Sequence, residues 1–205
     1  EKMQLFIIDF LIPEIGWYME KNELYTIDKE TIKCIIEPVL KGTQDIDICG
    51  KYGRAFFKEY HNGEDGSINT QTYAEQLLKL NSHGDYVDDI IDHCVYSLGI
   101  FYVNNQEYGF IHQHIRDYFA ALKIVTDIRL ANSILQVDKT AAINRICELN
   151  NNLLSVSVVR FMSDLSITVS TKSKYDFYTN ALNIYRNSFE KNNGIGVKNI
   201  IEILY

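Results

Sequence analysis

The sequence predicts a mainly helical protein in which a winged-helix domain, made of helices and a β-hairpin wing, precedes an α-helical array. Apolar residues recur at three- and four-residue steps along most of the chain, as in helices that bury one face. Two short β-prone runs, Ile100–Val103 and Tyr108–Ile111, flank a polar stretch that begins with two asparagines. Asparagine tolerates the left-handed backbone of a tight turn, so this stretch predicts a hairpin. Beyond Leu122 the strand signals fade.

Two domains follow from this change of pattern. We predict a winged-helix-like domain over residues 1–122, with a loop-rich insertion at about 41–69 where glycine and polar residues gather, and a helical domain over residues 123–205. The β-branched stretch Ile167–Thr171 is expected to be a linker or a short strand. No motif recurs at a fixed period, so no solenoid is predicted. The helices expected in the second domain are Ala131–Val137, Thr140–Leu149, Leu153–Leu165, Tyr175–Phe189 and Val197–Leu204.

The N-terminal region predicts a helix, a short strand and a second helix. A helical period runs from Leu5 to Tyr18, and Pro13 is expected either to kink it or to lie in the first turn of a new helix. The segment Glu23–Asp28 is β-prone, and Asp28 is a suitable N-cap for the next helix. That helix is expected to bury Ile32, Ile35, Ile36 and Val39.

Further helices are predicted on both sides of the hairpin. Thr70–Leu80 has a helical pattern, and Asp85 is expected to cap another helix, which ends at Gly99. One side of this capped helix is apolar, whereas the other carries Asp88, Asp89 and Asp92. After the hairpin, one face of the next helix is formed by Ile111, Ile115, Tyr118, Leu122 and Val125.

Composition excludes several classes of function. The formal net charge of −7 and the pI near 5.2 argue against a nucleic-acid surface, which needs clustered lysine and arginine. The most apolar stretch, Leu5–Met19, is too short and too polar to cross a bilayer, and no signal peptide is recognisable. We therefore expect a cytoplasmic protein without a membrane partner.

The cysteines and histidines do not have the spacing of a metal site. The four cysteines are scattered, which is typical of reduced thiols, and Cys34 and Cys94 are expected in the core. His112 and His114 could share a metal only if the strand continued through them, because residues two apart on a helix face different ways. No metal site is predicted. The acid–histidine neighbours Glu59–His61 and Asp92–His93 lack a recognisable nucleophile.

The segment FIHQHIRDYFAA, from Phe110 to Ala121, resembles the signature that closes the winged-helix part of NACHT-type STAND NTPases, signalling ATPases of animal inflammasome receptors and bacterial defence proteins. Leu11–Lys21 is similar to a helix that such proteins place before it. Val197–Leu204 resembles the segment that leads, in bacterial members, into a repeat domain. The chain contains no G-x-x-x-x-G-K-[ST] phosphate loop, so the resemblance implies a non-enzymatic piece downstream of a nucleotide-hydrolysing core.

The resemblance implies roles for two residues. His112 matches the histidine that contacts the phosphates of bound ADP and holds the resting state. Arg116 and Asp117 depart from the glutamine and glutamate that the family often carries. Arg116 could face a phosphate or a neighbouring carboxylate, although a solvated arginine is the interpretation we favour. Tyr118, Phe119, Ala120 and Ala121 are expected to pack.

The same resemblance implies the cofactors and partners. ATP or ADP with Mg²⁺ would bind an upstream domain of the parent protein, while the chain described here would hold no cofactor. A downstream sensor or repeat domain and a homo-oligomer formed on activation complete the set of partners. Two alternatives stay open: a helical protein–protein interaction module, and a winged-helix nucleic-acid binder, which the acidity disfavours.

Overall fold

The computed structural model describes residues 7–42, 86–136, 138–169, 174–187 and 194–204. These residues are mainly helical and include one three-stranded antiparallel sheet. The chain divides into two compact units, residues 1–119 and 120–205. The predicted domains, 1–122 and 123–205, remain a prediction. Apart from residues 41 and 42, the predicted insertion lies outside the described residues, as do the predicted helix Thr70–Leu80 and the predicted cap Asp85.

The first unit begins with a π-helical turn, Ile7–Leu11, that continues into helix α1, Ile12–Lys21. Pro13 lies in the first turn of α1, so the predicted restart is confirmed; a first-turn residue needs no backbone N–H donor. After α1 the chain reverses at Glu23, which has a φ of 55°, and the Leu24 N–H donates to the Met19 carbonyl at 2.8 Å. This bond closes the helix end and fixes the position of Leu24.

Strand β1, Ile27–Asp28, leads directly into helix α2, Lys29–Gly42. The Thr31 N–H donates to Asp28 Oδ1 at 2.7 Å, which confirms the predicted N-cap. This bond favours the carboxylate, so the pKa of Asp28 lies below its usual value. Ile32 and Ile36 are buried, whereas Ile35 and Val39 are only half-buried, so the predicted apolar face is narrower than expected.

Helix α3, Tyr86–Asp92, precedes the hairpin and continues as a π-helical turn, His93–Ser97. Gly99 ends it with a φ of 61°, as predicted. The acidic side predicted from the sequence is exposed, and the opposite side is buried through Tyr86, Val87, Ile90, Ile91 and Cys94.

The predicted hairpin is confirmed as strands β2, Phe101–Asn104, and β3, Glu107–Phe110. Its turn consists of two residues, Asn105 and Gln106, with φ values of 50° and 66°. Positive φ at both positions is the geometry that matches the twist of paired strands. Strand β1 pairs with the other edge of β3, giving the order β1-β3-β2.

One face of this sheet belongs to the core of the first unit. Phe101 and Phe110 lie opposite each other in register, and their rings meet edge to face with centroids 4.7 Å apart. Phe110 also stacks on Phe119 at 6.0 Å. These contacts fix the end of β3 against the helix that follows it.

The space around Gly109 in β3 is too small for a side chain. A Cβ atom there would lie 2.6 Å from the Tyr25 carbonyl oxygen and 2.8 Å from the Tyr102 ring. Gly109→Ala is therefore expected to lower the free energy of unfolding by about 1–3 kcal/mol, because backbone and ring must both shift. Urea titration followed by far-ultraviolet circular dichroism, which reports the helices of both units, measures this. Gly194→Ala, where a Cβ meets nothing within 4 Å, is the control; equal effects would contradict the prediction.

The helix after the hairpin is longer than the sequence indicated. Helix α4 is continuous from Gln113 to Ile134, so the separate helix predicted at Ala131–Val137 is wrong for its described residues up to Ile134. No proline or glycine occurs within α4 to end it earlier. The predicted linker or strand at 167–171 is also wrong for residues 167–169, which are helical.

The remaining helices of the second unit follow the predicted order. They are α5, Lys139–Ile146, followed by a 3₁₀ turn, Cys147–Asn150; α6, Val156–Val169; α7, Lys174–Asn187; and α8, Gly194–Leu204. Asp138 caps α5, since the Ala141 N–H donates to its Oδ1 at 2.9 Å. Residues with buried side chains recur on α5 to α8, and they include Ala142, Ile146, Val158, Met162, Tyr178, Ala181, Ile184, Ile200 and Ile203.

Tyr178 and Asn199 place polar groups in this core. The Tyr178 hydroxyl donates to the Met162 carbonyl at 2.9 Å, and burial raises the pKa of Tyr178 well above its usual value. Asn199 is buried and makes three hydrogen bonds to the segment between α5 and α6. Satisfied polar groups of this kind fix how helices pack.

Candidate functional site

His112 lies between the end of β3 and the start of α4, and its side chain is exposed. Its carbonyl accepts hydrogen bonds from the N–H groups of Ile115 at 3.0 Å and Arg116 at 3.4 Å, so His112 is the N-cap residue of α4. Its imidazole Nδ1 accepts the His114 N–H at 3.1 Å. The histidine singled out from the sequence is therefore a solvent-facing residue with a fixed local geometry.

The rings of His112 and His114 lie beside each other, with centroids 5.0 Å apart. Both side chains are exposed, and the strand does not continue through them, since β3 ends at Phe110. Within the described part of the chain, no group of three or more potential metal ligands is found. The two histidines thus form a polar surface at the first turn of α4.

Arg116 corrects the expectation of a solvated arginine. Its side chain is 8% exposed, and its Nη2 contacts Glu20 Oε2 at 2.6 Å. Nη1 donates to the Leu24 carbonyl at 3.1 Å, and Nε and Nη2 donate to Asp117 Oδ1 at 3.1 and 2.9 Å. All three guanidinium nitrogens are bonded to protein groups. Arg116 joins the first turns of α4 to the end of α1.

The charges around Arg116 do not balance. Glu20 and Asp117 supply two carboxylates against one guanidinium, and Asp117 is fully buried. Asp117 Oδ2 has no hydrogen-bond partner among the residues that the structure describes. The guanidinium is also 5.8 Å from the centre of the Tyr25 ring. Removal of Arg116 would therefore leave two carboxylates without their cation.

The packing predicted for the four residues after Asp117 is confirmed in part. Phe119, Ala120 and Ala121 are buried as predicted, but Tyr118 is 37% exposed. Tyr118 meets Phe119 edge to face, with ring centroids 5.3 Å apart. Phe119, Ala120 and Ala121 are thus packing residues of α4.

Among the described residues, the cysteines differ in their surroundings. Cys94 is buried in α3's π-helical extension, and burial raises the pKa of its thiol to about 12, so it stays protonated. Cys34 is exposed, so the expectation that it belongs to the core is wrong. Of the predicted acid–histidine neighbours, Asp92 is exposed whereas His93 Nε2 is buried, and Glu59–His61 lies outside the described residues.

Sequence reasoning missed the partners of Arg116. Glu20 is 96 positions away in the sequence. Leu24 contributes a backbone carbonyl, which a pattern of side chains cannot predict. One signal was present: other residues must hydrogen-bond an arginine–aspartate pair at buried positions of a helix, because buried charges without such partners are costly. The pattern does not say which residue would do so.

No protein-family model, curated protein or solved structure matches this chain. In the described part of the chain, none of the helices combines the length and the apolar character that crossing a bilayer requires.

Proposed function

We propose that this chain is a regulatory portion of a bacterial NACHT-type STAND NTPase. Its winged helix would close over ADP or ATP, with Mg²⁺, bound by an upstream domain of the same protein, and would thereby control activation in defence or stress signalling. A downstream sensor or repeat domain would tip this equilibrium toward an oligomer. The chain itself would act in the cytoplasm as a non-catalytic lid.

The position of His112 is the observation that carries this proposal. The imidazole is exposed at the junction of a paired hairpin and a helix, in the motif that resembles the NACHT signature. A ring buried beneath apolar side chains could not reach a nucleotide held by another domain. An exposed ring on a braced backbone can, because an imidazole N–H donates readily to a phosphate oxygen.

The order of elements supports the winged-helix part of the proposal. A helix, a short strand and a second helix are followed, after the stretch outside the described residues, by a helix and a hairpin. The short strand pairs with the second strand of the hairpin, in the order β1-β3-β2. A winged helix combines a small helical bundle with such a sheet, and its wing is the hairpin.

The surface charge favours a regulatory role over nucleic-acid binding. In DNA-binding winged helices, a basic helix enters the major groove. Here α3, the helix before the hairpin, exposes Asp88, Asp89 and Asp92. Lys29 Nζ lies 2.7 Å from Asp88 Oδ1 and neutralises that carboxylate. The carboxylates of Asp89 and Asp92 remain to repel phosphate.

Substitution of His112 by leucine in the longer protein, with its nucleotide-binding domain, tests the proposal. Loss of one hydrogen bond to a charged phosphate is worth about 1.5–3 kcal/mol, so we expect release of a fluorescent ADP analogue to accelerate roughly 10- to 100-fold. Stopped-flow fluorescence measures the release rate. His114→Leu is the matched control, because it makes the same chemical change on the neighbouring exposed ring. Equal release rates in wild type and His112→Leu would refute the sensor role.

A second candidate, a helical protein–protein interaction module, is favoured by exposed apolar residues in the second unit. Leu153, in the segment before α6, is 55% exposed, and Val156, the first residue of α6, is 73% exposed. Apolar side chains at such a surface are typical of contact sites. The two candidates differ in nucleotide dependence: an interaction module would bind its partner equally with ADP, with ATP and after His112→Leu.

A further inference from the structure

The two ring nitrogens of His112 have different surroundings. Nδ1 accepts the backbone N–H of His114 at 3.1 Å, and a nitrogen that accepts a hydrogen bond carries no proton. A neutral imidazole has one ring proton, so that proton must be on Nε2. The hydrogen bond thus selects one of two tautomers that are otherwise close in energy.

We propose that His112 performs two separable tasks: Nδ1 caps helix α4, and the cap fixes the ring as the Nε2–H tautomer, the atom that donates to an anionic ligand. The backbone N–H of His114 is then the positioning group of the site. The ligand-facing half rests on the proposed function, whereas the cap and the tautomer are properties of this chain alone.

The backbone on both sides of His112 is held, which makes the cap a defined geometry. Before it, the Ile111 N–H donates to the Ile100 carbonyl at 2.9 Å and continues the hairpin pairing. After it, the His112 carbonyl accepts the first N–H groups of α4. The ring therefore has little freedom besides rotation about its own side-chain bonds, and the bond to His114 restricts that rotation.

The tautomer defines the class of ligand. A neutral ring capped at Nδ1 offers one donor and no acceptor, because its lone pair is already used. A phosphate or carboxylate oxygen fits such a group, whereas a guanidinium or ammonium, which brings only donors, does not. The capped imidazole of His112 therefore favours acceptor-rich anions such as the diphosphate of a nucleotide.

The tautomer is measured directly by nitrogen-15 NMR of the histidine side chains in the 205-residue chain at about pH 8, where an ordinary imidazole is neutral. We expect the His112 proton on Nε2, with Nδ1 unprotonated. We also expect the His114 amide to exchange with solvent several-fold more slowly than it does in His112→Ala. A proton on Nδ1, or equal exchange rates in the two proteins, would overturn the inference.

Two near-isosteric variants separate the tasks. In His112→Asn the side-chain oxygen takes the place of Nδ1, so the cap and the His114 protection should persist, while the outer donor is lost. In His112→Gln the outer donor is kept and the cap weakened, so the folded-to-unfolded ratio should fall about fivefold relative to asparagine. Equal stability and equal protection in both variants would contradict the division of tasks.

Failure of this inference is distinguishable from failure of the proposed function. In the longer protein, His112→Asn should accelerate nucleotide release as His112→Leu does, although its helix stays capped. If the cap and tautomer are found as expected but no His112 variant changes release, the proposed function fails and the structural assignment stands. If release changes but the proton is on Nδ1, the assignment fails and the sensor role stands.

Discussion

Replacing Arg116 with alanine is expected to lower the free energy of unfolding of the first unit by about 3–5 kcal/mol. The guanidinium makes hydrogen bonds to Glu20, Leu24 and Asp117, and its side chain is 8% exposed. Without it, two carboxylates would lie in a buried environment without their cation, and Asp117 Oδ1 would lose its two hydrogen bonds from Arg116. An uncompensated buried charge is one of the few causes of so large an effect.

Urea unfolding followed by the fluorescence of Trp17, which is the only tryptophan and is buried in the first unit, measures this change. Arg160→Ala removes an exposed arginine and is expected to stay within about 0.5 kcal/mol of wild type. The double variant Arg116→Met with Asp117→Leu should recover part of the loss, because it removes a charge of each sign. A cost below about 1 kcal/mol for Arg116→Ala would mean that the ion cluster does not stabilise the fold.

Replacing Asn199 with leucine is expected to destabilise the second unit by about 3 kcal/mol. The Asn199 Nδ2 donates to the carbonyls of Leu149 and Asn152, both at 2.9 Å, and its Oδ1 accepts the Leu154 N–H at 3.0 Å. Leucine has the same branching at Cγ but satisfies none of these backbone groups. Each buried group left unsatisfied costs about 1–3 kcal/mol, partly offset by the gain in apolar burial.

Hydrogen exchange of the Leu154 amide measures this change locally, so that the first unit does not contribute. We expect exchange at Leu154 to accelerate roughly 100-fold, which corresponds to about 3 kcal/mol. Asn151→Ala, at an exposed position of the same segment, is the matched control and should leave Leu154 protected. Unchanged protection in Asn199→Leu would show that the segment between α5 and α6 is held by other contacts.

Local sequence signals identified the elements whose formation depends on neighbouring residues. The asparagine turn identified the hairpin, because few residues tolerate positive φ at two successive positions. Asp28 marked the start of α2 through a side chain that accepts a backbone N–H three residues later. The continuation of α4 past residue 131 was not predicted, although the sequence there contains no proline or glycine that would break a helix.

The candidate site shows the same division. The motif from Phe110 to Ala121 identified His112, and the hairpin before it follows from its own turn residues. The burial of Arg116 and its partners could not be predicted in this way. Glu20 is 96 positions away in the sequence, and the Leu24 carbonyl is placed by the end of another helix.

The sequence by itself determined the hairpin, the order of most helices, the N-cap at Asp28 and the helix end at Gly99. Only the tertiary structure decided that Arg116 is buried among carboxylates and that Asn199 holds a segment 45 positions away. Backbone preferences act over a few residues and are written in the local sequence. Burial brings distant groups together, and the free energy of a charge or an amide is set by whichever groups the fold places around it.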